Sequence, residues 1–313
     1  MKAVVYDKSK YPEVLELREV EKPIPGDNEV LVKIFAVSVN AADYRSMKLG
    51  IIPKRRIFGA DITGRVEAVG KNVTKFAIGD EVVADTADCG FGGFAEYVAV
   101  PEAVLVFKPK GIAFDIAAAV PLAAVTALQA LRDKGNIQQG KKVLIYGAGG
   151  GVGTFAVQLA KYFGAEVTAV CGENNVDIMK SLGPDYIINY SRDDFTKSNK
   201  TYDIVLAVNG KNPLSVYKSV LDSRGVCVMV GGAFSQIVKI ILLGTFMSMG
   251  SKKMRFLAAK PKTEDLEFII KLVEEGKIKP VIDRRYSLHE THEAIQYLSK
   301  GHAKGKVVIN VVR

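Results

Sequence analysis

A chain of 313 residues, 48% apolar and 25% charged, has the composition of a folded protein with room for two ordinary cores, which argues against intrinsic disorder. Its net charge of +9 comes from 43 basic residues spread among 34 acids; this is a solvated surface and not a nucleic-acid footprint, yet it favours anionic, phosphorylated small molecules. Three cysteines, Cys89, Cys171 and Cys227, are odd in number and far apart, which speaks against a disulfide framework or a thiolate metal cluster and fits a reducing, cytoplasmic setting.

The first residues read as a strand and lack the features of a signal peptide. Strand-like alternation and turn signals follow at 29–35, 64–69, 79–83 and 94–100, predicting a β-rich, barrel-like domain. The texture turns helical at 116–131, a run of Ala, Leu and Val that Pro121 should end or kink. From Lys141 a strand, tight turn and helix recur: strands at 143–146, 166–171, 186–188, 203–208 and 225–230, helices at 152–163, 176–182 and 213–221. That alternation predicts a parallel, doubly wound sheet. An apolar, irregular stretch, 233–253, precedes amphipathic helices at 263–275 and 288–300 and a closing strand at 306–311. Its most apolar part, 237–249, is interrupted by Lys239 and is shorter than the ~20 residues a membrane span requires. It reads as a wall over a substrate, as a dimer-facing helix, or as a weak peripheral membrane contact.

Gly147, Gly150 and Gly153 stand at a G-x-x-G-x-x-G spacing between an apolar strand and a helix opened by Gly151 and Val152. A sharp turn, close approach of backbone to pyrophosphate and tight helix-to-strand packing each demand that side chains be absent, and the helix N-terminus offers donors to the anion. The spacing and its strand-to-helix context predict a dinucleotide cradle. About 20 residues on, where an acid would grip the ribose 2'-hydroxyl of NADH, the chain has Cys171 and Gly172. This leans toward NADPH, with NADH as the alternative because Glu173 follows.

Beyond the turn, Asn40-Ala41-Ala42-Asp43, the run 59–70 (GADITGRVEAVG), Gly79-Asp80-Glu81-Val82, 92–97 (GGFAEY), Ala124-Val125-Thr126-Ala127, Ile188-Asn189-Tyr190, Val230-Gly231-Gly232 and Gly305-Lys306-Val307-Val308 stand in an order that resembles the medium-chain dehydrogenase/reductase superfamily. Within it the chain is most similar to the zinc-independent quinone oxidoreductases. The resemblance implies an α/β fold: a doubly wound parallel-sheet Rossmann domain at 119–263 and a β-rich GroES-like barrel domain at 1–118 and 264–313. It also implies that Asn40 and Thr126 lie near the nicotinamide, Gly231 and Gly232 behind its ring, and Tyr190 near the adenosine ribose phosphate. Asn175, Val208 and Lys306 join the expected cofactor contacts. Asn40 also suits a plain turn, Thr126 a helix position bonded to its own backbone, and Tyr44, the candidate proton donor, an ordinary half-buried site.

Zinc-dependent relatives hold their metal at the positions of Asn40, Ala60-Asp61 and Leu122, of which only Asp61 is a ligand type. His289, His292 and His302 all lie near the C-terminus, so no metal is expected. Without a Lewis acid, simple alcohols become poor substrates, whereas hydride delivered to a quinone or enone leaves a charge already delocalised. The chain departs from its relatives at Ile52, where many have a Tyr before the proline, and at Gly172, Asn174 and Asn175, where NADPH users often carry Ser and a base. The expectation is an NADPH-dependent reductase of quinones or enones, a homodimer without nucleic-acid partners; the alternative is an NADPH-binding scaffold or sensor with little turnover.

Overall fold

The alternating segments of the first hundred residues pair into antiparallel sheet. The computed structural model describes all residues except 9–13, 54, 211, 233–237, 239, 241–243, 245–247, 249 and 313. It divides into Met1–Val125 with Pro261–Gly276 and Pro280–Arg313, and Thr126–Lys260 with Lys277–Lys279.

In the first unit, numbered along the chain, β1 (Lys2–Tyr6) pairs with β2 (Leu15–Glu19). The larger sheet comprises β3 (Glu29–Val39), β4 (Asp61–Val69), β5 (Glu81–Asp85), β6 (Tyr97–Pro101), β7 (Val106–Phe107), β14 (Ile282–Ser287) and β15 (Lys306–Asn310). Its order is β14-β15-β3-β4-β5-β7, with β6 also on β3. Only β14 and β15 run parallel. Alternation along β3 sends Val30, Val32 and Ile34 inward, and its irregularities against β4 shift that period before Val37 and Val39 join the same core. The strand β3 leads into helix α1 (Ala41–Lys48), and the short helix α2 (Phe114–Ala118) seats Ala118 and Ala119 against Ala36 and Val308.

Pro121 acts as expected: α2 stops before it and α3 (Pro121–Gln129) begins on it, where a missing N–H costs nothing. The run then widens into a π-type turn, Ala130–Lys134, closed by Gly135 N–H on the Ala130 carbonyl at 2.8 Å.

The second unit alternates β8 (Lys142–Tyr146), α4 (Gly151–Tyr162), β9 (Glu166–Cys171), α5 (Val176–Leu182), β10 (Tyr186–Asn189), β11 (Tyr202–Val208), α6 (Leu214–Ser219), β12 (Leu221–Val230) and β13 (Lys253–Leu257). All six strands are parallel in the order β10-β9-β8-β11-β12-β13, which makes the β8/β11 boundary the switch point of a doubly wound sheet. Val143, Leu144 and Ile145 are fully buried, as a strand covered on both faces requires. The helix expected at 213–221 ends at Ser219 because Leu221 already pairs with Tyr202. Strand β13 was not expected from the sequence, since Lys253 and Arg255 interrupt its apolar residues. The segment 237–249 lies largely outside the described residues. The expected late helices are Thr263–Glu274 and, after a single turn Leu288–Glu290, Thr291–Ser299.

Candidate functional site

The turn after β8 is built from backbone alone. Gly147 has φ +81°, and a Cβ there would stand 2.4 Å from the Val208 carbonyl oxygen at the end of β11. A Cβ on Gly153 would meet the Gly147 oxygen at 2.3 Å, so helix α4 can approach the turn only as glycine. Gly147 and Ala148 both donate to the Val170 carbonyl at 3.1 Å, fixing the turn to β9. Gly150 is extended and α4 starts behind it with Gly151 and Val152, whose N–H groups have no carbonyl partner within the helix. The anion-binding half of a dinucleotide cradle is thus present.

Asn175 packs against the same turn. A Cβ on Gly149 would stand 2.5 Å from its Cγ, and its Oδ1 is buried without a hydrogen-bond partner. A buried orphan acceptor beside a glycine turn suits a ligand that brings hydroxyl donors, as ribose does. These residues fit a nicotinamide dinucleotide.

At the end of β9, Cys171 is buried and its thiol is pushed up to about 11 by burial, with Glu173 adding to the rise, which favours the thiol over the thiolate. Gly172 lies against the Tyr190 hydroxyl, 2.7 Å from where a Cβ would stand, and Tyr190 N–H donates to the Cys171 carbonyl at 3.0 Å. The acid Glu173 is engaged at both oxygens: Arg192 meets Oε1 at 2.9 Å and Asn189 Nδ2 donates to Oε2. Gly231 (φ +65°) and Gly232 (φ +123°) follow β12.

In the first unit, Asn40 precedes α1 and is 5% exposed. Its Nδ2 donates to Asp61 Oδ2 at 2.8 Å, and its Oδ1 accepts from Lys306 Nζ at 2.6 Å. Lys306, expected at the cofactor, has its ammonium here, also 3.4 Å from Asp61 Oδ2. Ser38 Oγ donates to the same Asp61 oxygen at 2.8 Å and Leu122 N–H to Oδ1 at 2.9 Å. Asn40, Asp61 and the Leu122 N–H therefore converge, and the cation beside them is an ammonium. No group of three or more His, Cys, Asp or Glu suited to a metal occurs among the described residues.

Two further carboxylates crowd this network. Asp43 accepts from Asn40 N–H at 2.7 Å and Gly59 N–H at 3.1 Å. Burial pushes it up to about 7; Asp61 adds to the rise, while the two N–H donors and Lys306 oppose it. Asp85 pairs with Asp61 across β4 and β5 and is likewise pushed up to about 7, by burial first and Asp61 second.

Tyr44 lies on α1, half-buried, with Lys48 and Arg45 at 5.5 and 5.9 Å from its ring. Thr126 is 5% exposed within α3. Sequence reasoning missed Ser38, Asp43, Asp85 and Arg192. Ser38 and Asp85 are polar residues on apolar strands and Asp43 stands in the first turn of α1, which is a visible signal; Arg192, two residues past Tyr190, had none.

Residues 26–110 match the alcohol dehydrogenase GroES-like domain and residues 182–309 a zinc-binding dehydrogenase domain. The chain is 36% identical to the chloroplast envelope quinone oxidoreductase homolog of Arabidopsis thaliana, over 94% of this chain and 93% of that one. It is 33% identical to a 2-methylene-furan-3-one reductase of Solanum lycopersicum, over 100% and 79%. The solved structure of a quinone oxidoreductase from Coxiella burnetii superposes with a TM-score of 0.88 at 30% identity, covering 100% and 99% of the two chains.

Proposed function

The chain belongs to the quinone oxidoreductase-like branch of the medium-chain dehydrogenase/reductase superfamily, a family of NAD(P)H-dependent oxidoreductases, and on that premise we propose that it reduces quinones or enones with NADPH, NADH serving as a second donor. The observation that carries this reading is the Gly147–Gly153 turn at the switch point, where a side chain would strike backbone and where Asn175 keeps a buried acceptor free. A bound nicotinamide supplies a hydride. The chain must hold the dinucleotide, keep water out and deliver a proton.

In this reading Gly147, Gly150, Gly151, Val152 and Gly153 hold the pyrophosphate, Asn175, Gly172 and Tyr190 the adenosine ribose, and Val208, Gly231, Gly232 and Thr126 the nicotinamide side. Asn40 is a positioning group near the reacting atoms, since Lys306 and Asp61 fix both ends of its amide. Tyr44 or water supplies the proton. A reaction without a metal is supported by the groups around Asp61, since Asn40, Ser38 and the Leu122 N–H are poor metal ligands and Lys306 already stands beside the carboxylate. Acceptors whose reduced form delocalises its own charge suit such a site, and a methylene-furanone, the substrate in the tomato relative's name, is a conjugated carbonyl of this kind. We further propose a cytoplasmic homodimer.

Purified protein mixed with NADPH and a panel of quinones, enones and simple alcohols is expected to consume NADPH with the first two classes only. Tight NADPH binding with no turnover across the panel would overturn the reductase and leave a scaffold or sensor. Metal-dependent turnover of alcohols would overturn the metal-free chemistry.

A further inference from the structure

We propose that the Glu173–Arg192 pair selects between the two cofactors, Arg192 being the cation that takes the 2'-phosphate of NADPH by exchanging Glu173 for it. This rests on the cofactor reading above and assigns a residue that the glycine turn does not specify.

The place is set by the sheet. β9 and β10 are parallel neighbours, with Asn189 opposite Cys171, so the residues that leave their carboxyl ends share one edge. Glycine turns of this class put the adenosine ribose at the end of the second strand, here β9. Glu173 follows Gly172, against which the Tyr190 hydroxyl lies, and Arg192 is paired with Glu173.

The chemistry is a competition for one guanidinium. Arg192 and Glu173 are in contact at 2.9 Å, yet their side chains are 71% and 52% exposed. An ion pair so open to water is weak, and exchanging its carboxylate for another anion costs little. A phosphate brings more charge and three acceptor oxygens to a planar fork built for bidentate contact. NADPH therefore displaces Glu173 from Arg192. NADH brings a hydroxyl in place of the phosphate, so Glu173 stays between Arg192 and Asn189 as an acceptor for it. One pair serves both ligands, and Glu173 is the competitor that holds the NADPH preference down.

The test uses binding alone. Dissociation constants of the full-length protein are measured by calorimetry for NADPH and NADH, and for adenosine 2',5'-bisphosphate and 5'-AMP, which lack the nicotinamide. Arg192→Ala is expected to weaken NADPH and the bisphosphate at least tenfold while leaving NADH and 5'-AMP within about twofold. Glu173→Gln is expected to strengthen the two ligands that carry a 2'-phosphate several-fold and to weaken NADH. Unchanged ratios in both variants, or parallel losses for all four ligands with Arg192→Ala, would overturn the proposal. Failure of the unmodified protein to bind any of the four would overturn the cofactor reading itself.

Discussion

Lys306 carries an ammonium where its side chain is only 3% exposed, beside an Asp61 that is wholly buried. Taking both groups out of water is costly, and the pair is tolerable because Asn40, Ser38 and the Leu122 N–H complete its hydrogen bonds. Removing one partner strands the other. Lys306→Met is thus expected to lower the unfolding free energy by about 3–5 kcal/mol, and adding Asp61→Asn should recover part of that loss. Urea denaturation of the single and double variants measures both; a single variant as stable as the parent would show that Lys306 does not compensate Asp61. The sequence displays Lys306 in the closing strand and as an expected cofactor contact, and Asp61 as the one ligand type left at the expected metal positions. What joins them is sheet adjacency, β15 against β3 and β3 against β4, a pairing between residues 245 positions apart that no local pattern encodes.

Strands β4 and β5 place Asp61 directly opposite Asp85, an arrangement that favours keeping a proton on one of the carboxyls. An unfolded Asp85 loses its proton near its ordinary value of 3.8, the folded one near 7, so the folded chain binds more protons between those pH values. Stability therefore falls as pH rises from about 4 to about 7 and levels off above it. Asp43, raised in the same way, adds to the slope. Asp85→Asn keeps an oxygen for the Ala87 N–H and cannot ionise, so it is expected to match the parent near pH 3, below the ordinary value, and to be more stable near pH 8. Melting temperatures at the two pH values decide the matter; a variant less stable at the higher pH reverses the sign and defeats the account. Elements whose chemistry is written in consecutive residues were legible: the β8 turn in its glycines, the α2/α3 break in Pro121, the outward–inward period of β3 in its valines. Elements defined by a partner were not. Strand β13 exists because β12 offers it an edge, and the start of β12 at Leu221 is set by Tyr202.

At the scale of the whole molecule, the excess of nine positive charges over acids sets a background attraction for any dinucleotide. A ligand that binds only the folded chain stabilises it by an amount that grows with occupancy, about 2.7 kcal/mol at a hundredfold excess over Kd. Both NADPH and NADH should therefore raise the melting temperature of the apoprotein. Their salt dependence should differ. Diffuse attraction acts on both pyrophosphates alike, whereas on the proposal above the 2'-phosphate adds a local contact with the exposed guanidinium of Arg192, which is paired with Glu173. Raising ionic strength from about 0.1 M to about 1 M shortens the screening length from ~10 Å to ~3 Å. The stabilisation by NADPH is expected to shrink more than that by NADH over this range. Equal shrinkage would mean that the general field of the molecule, and no local cation, holds the phosphate.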